Sequence, residues 1–542
     1  EHLDFKTDQT KKGFNFRTLS PQWMKDINGN FSTAITDELG FVKAVAVMGK
    51  GDEADELTGI TETTDVAESA DILNFFNASD SVQLTSRGKN LLSRASTRFV
   101  YDLEAYYISG KPAVVASITR EQHFKQLPDS PIQISFEYSN GIGEVVMKKV
   151  QAEPGKAKQV IVHEDNTYTV TTPDPDTSQQ NPKQLRWIGN GRTIKNNKGN
   201  PVKQYEPFFS VTWKYEDYKE LVESGVTPKM FYDAAGRLIK TEISDGTFSK
   251  VEFDSWKQSV YDANDTILES SWYINRINSL IDTQLIDEDK DPGREKLAAH
   301  KAAKHANTPN ILHFDTLGRP VLSIDHNKCI ATDDDEFYLT RVYFDTEGNL
   351  RSVIDARGNT VMQYKYDMLG NLVYQNSIDA GKRWLLTNIL SKPLRTWDER
   401  NHEFQYFYDI AQRPTHSKVI GGDGTTLLDN IFDKVIYGES LLALDRSNEA
   451  ILQARNVLGQ VIQHYDTGGL VDTPNYDFKG QSLSTTRKLF SKYKEVANWT
   501  DSNLTADLEV EEFTFTTETD ALGRITKQTA PDGSIITPSY NE

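Results

Sequence analysis

The sequence predicts a mainly β protein: one long, wound antiparallel sheet of β-hairpins, with a few short helices packed on or in it. The first observation is a recurring phrase, in which an aromatic or polar residue is followed by Asp or Asn, two variable residues, Gly, a polar residue and an apolar one. It occurs at 232–238, 314–320 and 366–372. Self-similarity at short spacing is typical of a fold that stacks one unit.

The second observation is that the phrase continues through much of the chain. Further copies lie at 344–350, 354–360, 476–482 and 519–525, and looser ones at 36–42, 139–145, 195–201 and 455–461. In the copy at 408–414, Gln412 stands in place of the glycine. The Asp and Gly positions that we expect to form structural turns are Asp233, Gly236, Asp315, Gly318, Asp345, Gly348, Asp355, Gly358, Asp367, Gly370, Asp477, Gly480, Asp520 and Gly523.

Each copy has a local mechanical interpretation as the tip of a hairpin. An Asp or Asn side chain accepts a hydrogen bond from the backbone two residues on, and Gly supplies the positive φ that closes a short loop. The flanks agree, because Met362, Tyr364 and Tyr366 fall on one face of a predicted strand and Val361 and Lys365 fall on the other. The repeated aspartates are therefore interpreted as turn formers.

Size and charge exclude several classes of function. The chain has 542 residues and a net charge of -19, which disfavours nucleic-acid binding because phosphate contacts need basic surfaces. The sequence has no apolar run long enough to span a bilayer, so no direct membrane insertion is expected. One cysteine, Cys329, cannot form an internal disulfide. The opening residue is Glu1, and we expect the sequence to be an excerpt of a longer polypeptide.

Helical patterns interrupt the predicted sheet. We expect helices at 65–77, 216–224, 293–306 and 381–390, from apolar spacing or from residues that favour helices. The predicted organisation is a β region with one or two helices at 1–210, and the repeat array at 211–542 with a helical insertion at about 274–308.

No catalytic, cofactor or metal site is predicted. His300 and His305 are five residues apart, which does not place two imidazoles on one helix face. The segment 287–291 alternates carboxylates as a calcium loop does, but Pro292 occupies the place of the required glycine, so only a weak surface site is left open. We therefore expect the protein not to be an enzyme.

The repeats resemble those of RHS, or YD-repeat, proteins. Longer blocks at 186–193 and 196–209 look like the end of the middle domain of the TcB component of bacterial insecticidal toxin complexes. Blocks at 253–256, 379–384, 464–466 and 476–480 are similar to later parts of that component. The resemblance covers essentially the whole chain, with the middle domain up to about residue 210 and the first part of the RHS array after it.

This resemblance implies a function. In that family, TcB and TcC form a hollow β-sheet shell that encloses an unfolded toxin polypeptide, and a TcB propeller docks the shell on a TcA-type pore. The implied role is a segment of the shell wall in a secreted toxin, with the remaining shell and the enclosed toxin as partners and the TcA-type pore as an indirect one. No catalytic residue carries over, because the family's self-cleavage core has no counterpart here. The alternative is an extracellular YD-repeat adhesion or carbohydrate-binding protein.

Overall fold

The computed structural model describes residues 13–51, 53–61, 63, 65, 69–165, 167–174, 185–329, 332, 334–500 and 504–540. The strands up to residue 210 are β1 (Phe14–Asn15), β2 (Ser20–Pro21), β3 (Trp23–Lys25), β4 (Phe31–Thr36), β5 (Val42–Gly49), β6 (Thr97–Asp102), β7 (Ala113–Arg120), β8 (Ile132–Ser139), β9 (Val145–Ala152), β10 (Gln159–Val162), β11 (Tyr168–Thr171), β12 (Arg186–Gly189), β13 (Thr193–Lys195), β14 (Pro201–Gln204) and β15 (Phe208–Ser210).

Most of these strands form one nine-stranded sheet, called here the first sheet. Its order is β15-β12-β9-β8-β7-β6-β5-β4-β3, and all of its pairs are antiparallel. Strands β1 and β2 pair with each other, as do β10 and β11. The hairpin β13–β14 belongs instead to the large sheet described next.

The later strands are β16 (Lys229–Tyr232), β17 (Leu238–Glu242), β18 (Phe248–Phe253), β19 (Lys257–Tyr261), β20 (Asn310–Phe314), β21 (Pro320–Lys328), β22 (Asp335–Phe344), β23 (Leu350–Ile354), β24 (Thr360–Tyr366), β25 (Leu372–Ser377), β26 (Gly381–Thr387), β27 (Pro393–Asp398), β28 (His402–Tyr408), β29 (Pro414–Gly421), β30 (Leu428–Tyr437), β31 (Val461–Asp466), β32 (Gly469–Tyr476), β33 (Ser482–Phe490), β34 (Leu508–Thr519), β35 (Ile525–Thr529) and β36 (Ile535–Ile536). With β13 and β14 they form a 23-stranded sheet, called here the array, in which neighbours in sequence are neighbours in space. The predicted mainly β fold with a long antiparallel sheet is confirmed.

The helices are α1 (Ser69–Phe76), α2 (Ser81–Leu92), α3 (Ala105–Ser109), α4 (Lys219–Val222), α5 (Ser271–Ile277), α6 (Asp282–Asp287), α7 (Pro292–Ala302) and α8 (Glu449–Ala454). Short 3₁₀ turns lie at Ile267–Glu269, Ala303–His305 and Gly438–Leu441. Residues 66–68 of the helix expected at 65–77 lie outside the described residues. No helix in the described part of the chain is both long and apolar enough to cross a membrane.

The helix expected at 381–390 is wrong, because the segment forms strand β26. Its residues pair on both sides, Trp384 with Tyr374 of β25 and with Trp397 of β27. Lysine, arginine and leucine favour helices locally, but here two neighbouring strands supply hydrogen bonds along the segment and override that preference.

The main apolar core belongs to the first sheet. Helices α1 and α2 pack on it, and the ring of Phe75 stacks on that of Phe136 at 5.9 Å between centroids. Trp187 and Leu84 are fully buried in the same cluster. The array buries much less, with two small clusters around Trp499 and around Val457. Most of its strand residues are only half-buried, so both of its faces stay largely wetted.

Candidate functional site: a ladder of stacked turns

The repeat phrase forms a hairpin turn of one geometry at all seven aspartates named above. At Asp367, the carboxylate oxygen Oδ1 accepts hydrogen bonds from the amides of Leu369 and Asn371, both at 2.9 Å. The Asp367 amide donates to the Asn371 carbonyl at 3.0 Å, and Gly370 has a φ of +79°. The carboxylate thus replaces backbone partners that a five-residue turn leaves unpaired. The same two carboxylate bonds occur at Asp233, Asp315, Asp345, Asp355, Asp477 and Asp520.

These turns lie on two edges of the array, because antiparallel strands alternate direction. One edge, called here the ladder edge, carries turns at 196–200, 233–237, 315–319, 345–349, 367–371, 388–392, 409–413, 456–460, 477–481 and 520–524. The turn at 355–359 lies on the opposite edge, with others at 243–247, 398–402 and 530–534. Of the seven predicted turns, the structure therefore brings six to the ladder edge.

Neighbouring turns on the ladder edge contact one another through their polar side chains. Ser391 Oγ donates to Asn371 Oδ1 at 3.2 Å, and Asn388 Nδ2 donates to Gln412 Oε1 at 3.1 Å. In the next two turns of this edge, Arg413 and the Gly459 amide both donate to the Glu439 carboxylate. Thr519 donates to the Gln481 side chain at 2.6 Å. Hydrogen bonds therefore join neighbouring turns of the ladder edge from 367–371 onward.

A tyrosine hydroxyl joins some of the repeat units to the unit before them. The hydroxyls of Tyr232, Tyr408 and Tyr540 donate to the carbonyls of Pro201, Pro393 and Ile525, each at 2.8 Å. Each of these carbonyls belongs to the second residue after the glycine position of the preceding ladder turn. The phrase thus combines a turn former, Asp, with an inter-unit lock, Tyr.

The arginine of the phrase has two contacts of its own. Arg319 Nε donates to its own turn aspartate, Asp315, at 2.7 Å, and the guanidinium lies over the ring of Phe344 in the next unit at 4.8 Å. Arg413 makes the same pair of contacts, with Asp409 and with the ring of Tyr437 at 4.1 Å. A guanidinium can satisfy a carboxylate and stack on an aromatic face at once, which explains the frequent Gly-Arg pair.

Two further turns were missed by the sequence analysis because they lack the glycine. At 388–392 and 398–402, Ser391 and Asn401 occupy the glycine position with φ of +58° and +63°. Asn388 and Asp398 accept the same two amide bonds as the other turn formers. Gln412, in the copy at 408–414, has φ of +61°. The signal that could have found these turns is the Asp or Asn four residues before a polar side chain.

Gly370→Val is expected to destabilise the protein by about 2 kcal/mol, because a β-branched residue resists a left-handed backbone. An added Cβ would be 3.9 Å from Asn349 Oδ1, so conformation and not space sets the cost. Denaturant unfolding would measure the loss. Gly141→Val is the matched control, since Gly141 has no positive φ and no atom within 4 Å of an added Cβ. Equal stability of the two variants would contradict the prediction.

Hydrogen bonds also shift the acidity of the turn aspartates. The amides of Arg237, Arg319 and Asn359 are the first cause that holds the pKa of Asp233, Asp315 and Asp355 below the ordinary value of 3.8. Each of these carboxyl groups has a lower pKa in the folded protein than in the unfolded chain. It therefore stabilises the folded state above about pH 3.8, and this stabilisation is lost as the pH falls below that value.

The triple variant Asp233→Asn, Asp315→Asn, Asp355→Asn is therefore expected to show a smaller fall in Tm between about pH 4 and pH 3 than the parent. Asn is the matched replacement, because Asn388 Oδ1 already accepts the amides of Leu390 at 2.9 Å and Lys392 at 3.0 Å. Thermal scans across this range measure the effect. Parallel Tm curves for the two proteins would show that these carboxylates do not contribute.

The late turns of the ladder contact the first sheet; this region is called here the closure contact. Asn28 Nδ2 donates to the Leu458 carbonyl at 2.8 Å, and the Leu458 amide donates to Asn28 Oδ1 at 2.9 Å. Asn30 Nδ2 donates to Asn456 Oδ1 at 3.0 Å. Both pairs bridge more than 400 residues of sequence. The late turns of the array therefore contact the connection between β3 and β4, at the end of the first sheet opposite to β15.

A second group of closure contacts involves the loop after β7. The Ala521 amide donates to the Glu121 carbonyl at 2.9 Å, and Arg524 Nη2 lies 3.1 Å from the Glu121 carboxylate. The His123 ring packs edge-on against Phe478, with centroids 5.1 Å apart. His123 is itself held by Asp55, whose carboxylate is 2.8 Å from Nδ1. The loop is thus fixed by buried polar contacts before it meets the ladder.

The described residues contain no group of three or more His, Cys, Asp or Glu side chains placed to hold a metal ion. The turn aspartates of the ladder all accept backbone amides, and all except Asp477 also accept a hydrogen bond from an arginine or asparagine side chain. The ladder pairs polar groups along one edge of the array and joins that edge to the first sheet.

The stacked turns and the single continuous sheet define a class: repeat proteins built from one antiparallel hairpin array. No family model matches the chain. It is 27% identical over 248 residues to toxin subunit YenC2 of Yersinia entomophaga, covering 41% of this chain and 24% of that protein. The fold is similar to the crystal structure of TcdB2-TccC3, with a TM-score of 0.73, 22% identity, and coverage of 97% of this chain and 23% of that chain.

A second solved structure, of a Photorhabdus luminescens Tc holotoxin pore, is similar over 97% of this chain and 25% of that chain, with a TM-score of 0.71 and 22% identity. These likenesses confirm the resemblance to components of bacterial toxin complexes that the repeat phrase and the longer sequence blocks together indicated. The chain spans about a quarter of the length of the proteins it matches.

Proposed function

We propose that this chain is a segment of the wall of a hollow shell that encloses an unfolded toxin polypeptide for delivery through a TcA-type pore. The observation that carries the proposal is the closure contact. The chain itself joins the array to the first sheet where the array starts. Asn28 and Glu121 join the two again at the late turns of the array, so the array and the first sheet together follow a closed path. A closed path of sheet is what a container wall requires.

The composition of the wall supports this role. Both faces of the array are largely wetted, and the chain carries a net charge of -19. An unfolded guest exposes apolar groups, and a polar lining offers those groups little surface on which to collapse. The low burial of the array is therefore suited to holding a polypeptide without folding or adsorbing it.

The proposal includes the partners and location that the similar proteins suggest. The partners are the remainder of the shell with its TcB propeller and TcC-like part, the enclosed toxin and, indirectly, a TcA-type pore, and the complex acts outside the producing cell. The turn aspartates and glycines are structural, and the wall is not an enzyme. We also propose a boundary near residue 210 between the middle region and the array, with the helices between 271 and 305 as an insertion in the array.

The carbohydrate-binding alternative has less support. Its best candidate is the pair Tyr374 and Trp384, whose rings lie 5.6 Å apart at an angle of 58° on neighbouring strands. Cross-strand aromatic pairs of this kind stabilise sheets without any ligand. Lys365 lies over the Tyr374 ring at 5.3 Å and occupies part of its face.

The test is protease protection in the full-length parent, combined with electron microscopy. We expect a closed body with additional internal density, and a toxin segment that resists protease until the shell is unfolded. A parent whose toxin segment is cut at the same rate with and without an intact shell would refute the proposal. Specific binding of an oligosaccharide to the array would favour the alternative.

A further inference from the structure

Three consecutive turns of the ladder edge carry large apolar side chains at their tips. The tip is the pair of residues between the Asp or Asn and the glycine position. The residues, called here the apolar strip, are Met368, Leu369, Ile389, Leu390 and Ile410. Met368 and Ile389 are 98% and 94% exposed, and Ile410 is fully exposed. Because these turns contact one another, the five side chains form one surface feature.

The turn geometry does not require apolar tips. On the opposite edge, turns with the same backbone bonds lie at 243–247, 355–359 and 530–534, and a turn with the same two carboxylate bonds lies at 398–402. Their tips are Ser244 with Asp245, Ala356 with Arg357, Glu399 with Arg400, and Pro531 with Asp532. None of these is a large apolar residue, and charged tips are the ordinary way to keep a sheet edge soluble. The apolar strip is therefore a feature of one edge, not of the turn.

Further along the same edge, the ladder tips are covered by protein. Leu458 is buried and its backbone is bonded to the Asn28 side chain, Phe478 packs on His123, and the amide of Ala521 donates to the Glu121 carbonyl. The ladder runs without a break from the strip to these tips through Arg413 and Glu439. The strip thus continues the closure contact. In that contact, each tip either packs an apolar side chain or donates an amide hydrogen bond to a carbonyl.

We propose that the apolar strip is the docking surface for a folded protein partner. The partner's contact surface would supply apolar pockets for Met368, Ile389 and Ile410, and main-chain carbonyls for their amides. Those three amides have no acceptor among the residues that the structure describes, whereas the equivalent amide of Ala521 is paired with Glu121. Exposed apolar patches on otherwise polar surfaces are typical of protein interaction sites.

The chemistry of the strip favours a different protein over a second copy of this chain. Two strips placed face to face would oppose amide donors to amide donors, and neither would provide the acceptors. An unfolded guest is also disfavoured, because the strip lies on the edge of the sheet and not on either of its faces. The inference does not depend on encapsulation.

The test uses photo-crosslinking in the complete parent assembly. A photoreactive amino acid replaces Met368, Ile389 or Ile410, and in control proteins it replaces Arg357 or Arg400 on the opposite edge. We expect the three strip positions, and not the controls, to crosslink to one folded partner surface, identified by mass spectrometry. Crosslinks to a second copy of the strip, to the guest polypeptide, or to nothing would overturn the proposal, as would equal crosslinking on both edges.

A substitution series separates docking from folding. The triple variant Met368→Glu, Ile389→Glu, Ile410→Glu is expected to keep the parent Tm, because exposed tips bury nothing, and to bind the crosslinked partner at least about tenfold more weakly. The control is Ala356→Glu with Pro531→Glu, on the opposite edge. Unchanged partner binding by a folded strip variant would overturn the proposal. If the strip variant lost Tm, the crosslinking result alone would decide.

Discussion

Leu458→Asp is expected to detach the late turns of the ladder from the first sheet and to lower stability by about 3 kcal/mol or more. Leu458 is only 2% exposed, and its backbone amide and carbonyl are both bonded to the Asn28 side chain. A carboxylate at this position would be buried in the apolar cluster that Leu458 forms with Leu452, Val457 and Ile462, which is among the most destabilising changes a core can receive.

Hydrogen exchange measures this effect at the place where it should occur. In Leu458→Asp, amides of residues 26–30 and 453–460 should exchange faster, while those of β22 to β25 should be unaffected. Leu444→Asp is the matched control, because Leu444 lies in the same connection between β30 and β31 and is fully exposed. If both variants unfold at the same denaturant concentration, the closure contact contributes nothing to stability.

Trp499→Ala is the second large expected effect, at about 3–5 kcal/mol. Trp499 is fully buried, and its ring lies 5.3 Å from that of Tyr465 and 5.4 Å from that of Phe490. Its indole N–H donates to the Asp466 carbonyl at 2.9 Å. Removing the side chain opens a cavity and leaves that carbonyl without its partner, in one of the few places where the array has a core.

Denaturant unfolding, followed by a probe in the array, would measure this loss. Trp384→Ala is the control, because Trp384 is 40% exposed in the middle of the same sheet and its removal leaves no closed cavity. We expect the control to lose less than half as much stability. A Trp499→Ala protein as stable as Trp384→Ala would show that the loop 491–500 does not help to hold the array.

The turns were predictable because their chemistry is local. An aspartate such as Asp367 and a glycine such as Gly370 act within five residues, so a sequence pattern records both. The same reasoning failed at 388–392, where Ser391 accepts a left-handed backbone that the pattern reserves for glycine. This turn is also stabilised by hydrogen bonds to the neighbouring turns of the ladder edge, through Asn371 and Gln412. The residues of the turn itself do not reveal those contacts.

Other features depended on distant partners and could not be predicted. Strand β26 looks helical in isolation and becomes a strand because β25 and β27 flank it. Helix α2 was not predicted, although Asp80 caps it by accepting the Gln83 amide at 2.8 Å. The closure contact joins Asn28 to Leu458, and no periodicity in either segment indicates that they meet.

The alternation of turns between two edges limits how such an array can evolve in length. Loss or gain of one strand would reverse the direction of every later strand and move each later tip to the other edge. Asn456 would then no longer face Asn30, and the tips that meet the first sheet would point away from it. Loss or gain of a whole hairpin keeps every later tip on its edge. Natural variants of this array are therefore expected to differ by even numbers of strands.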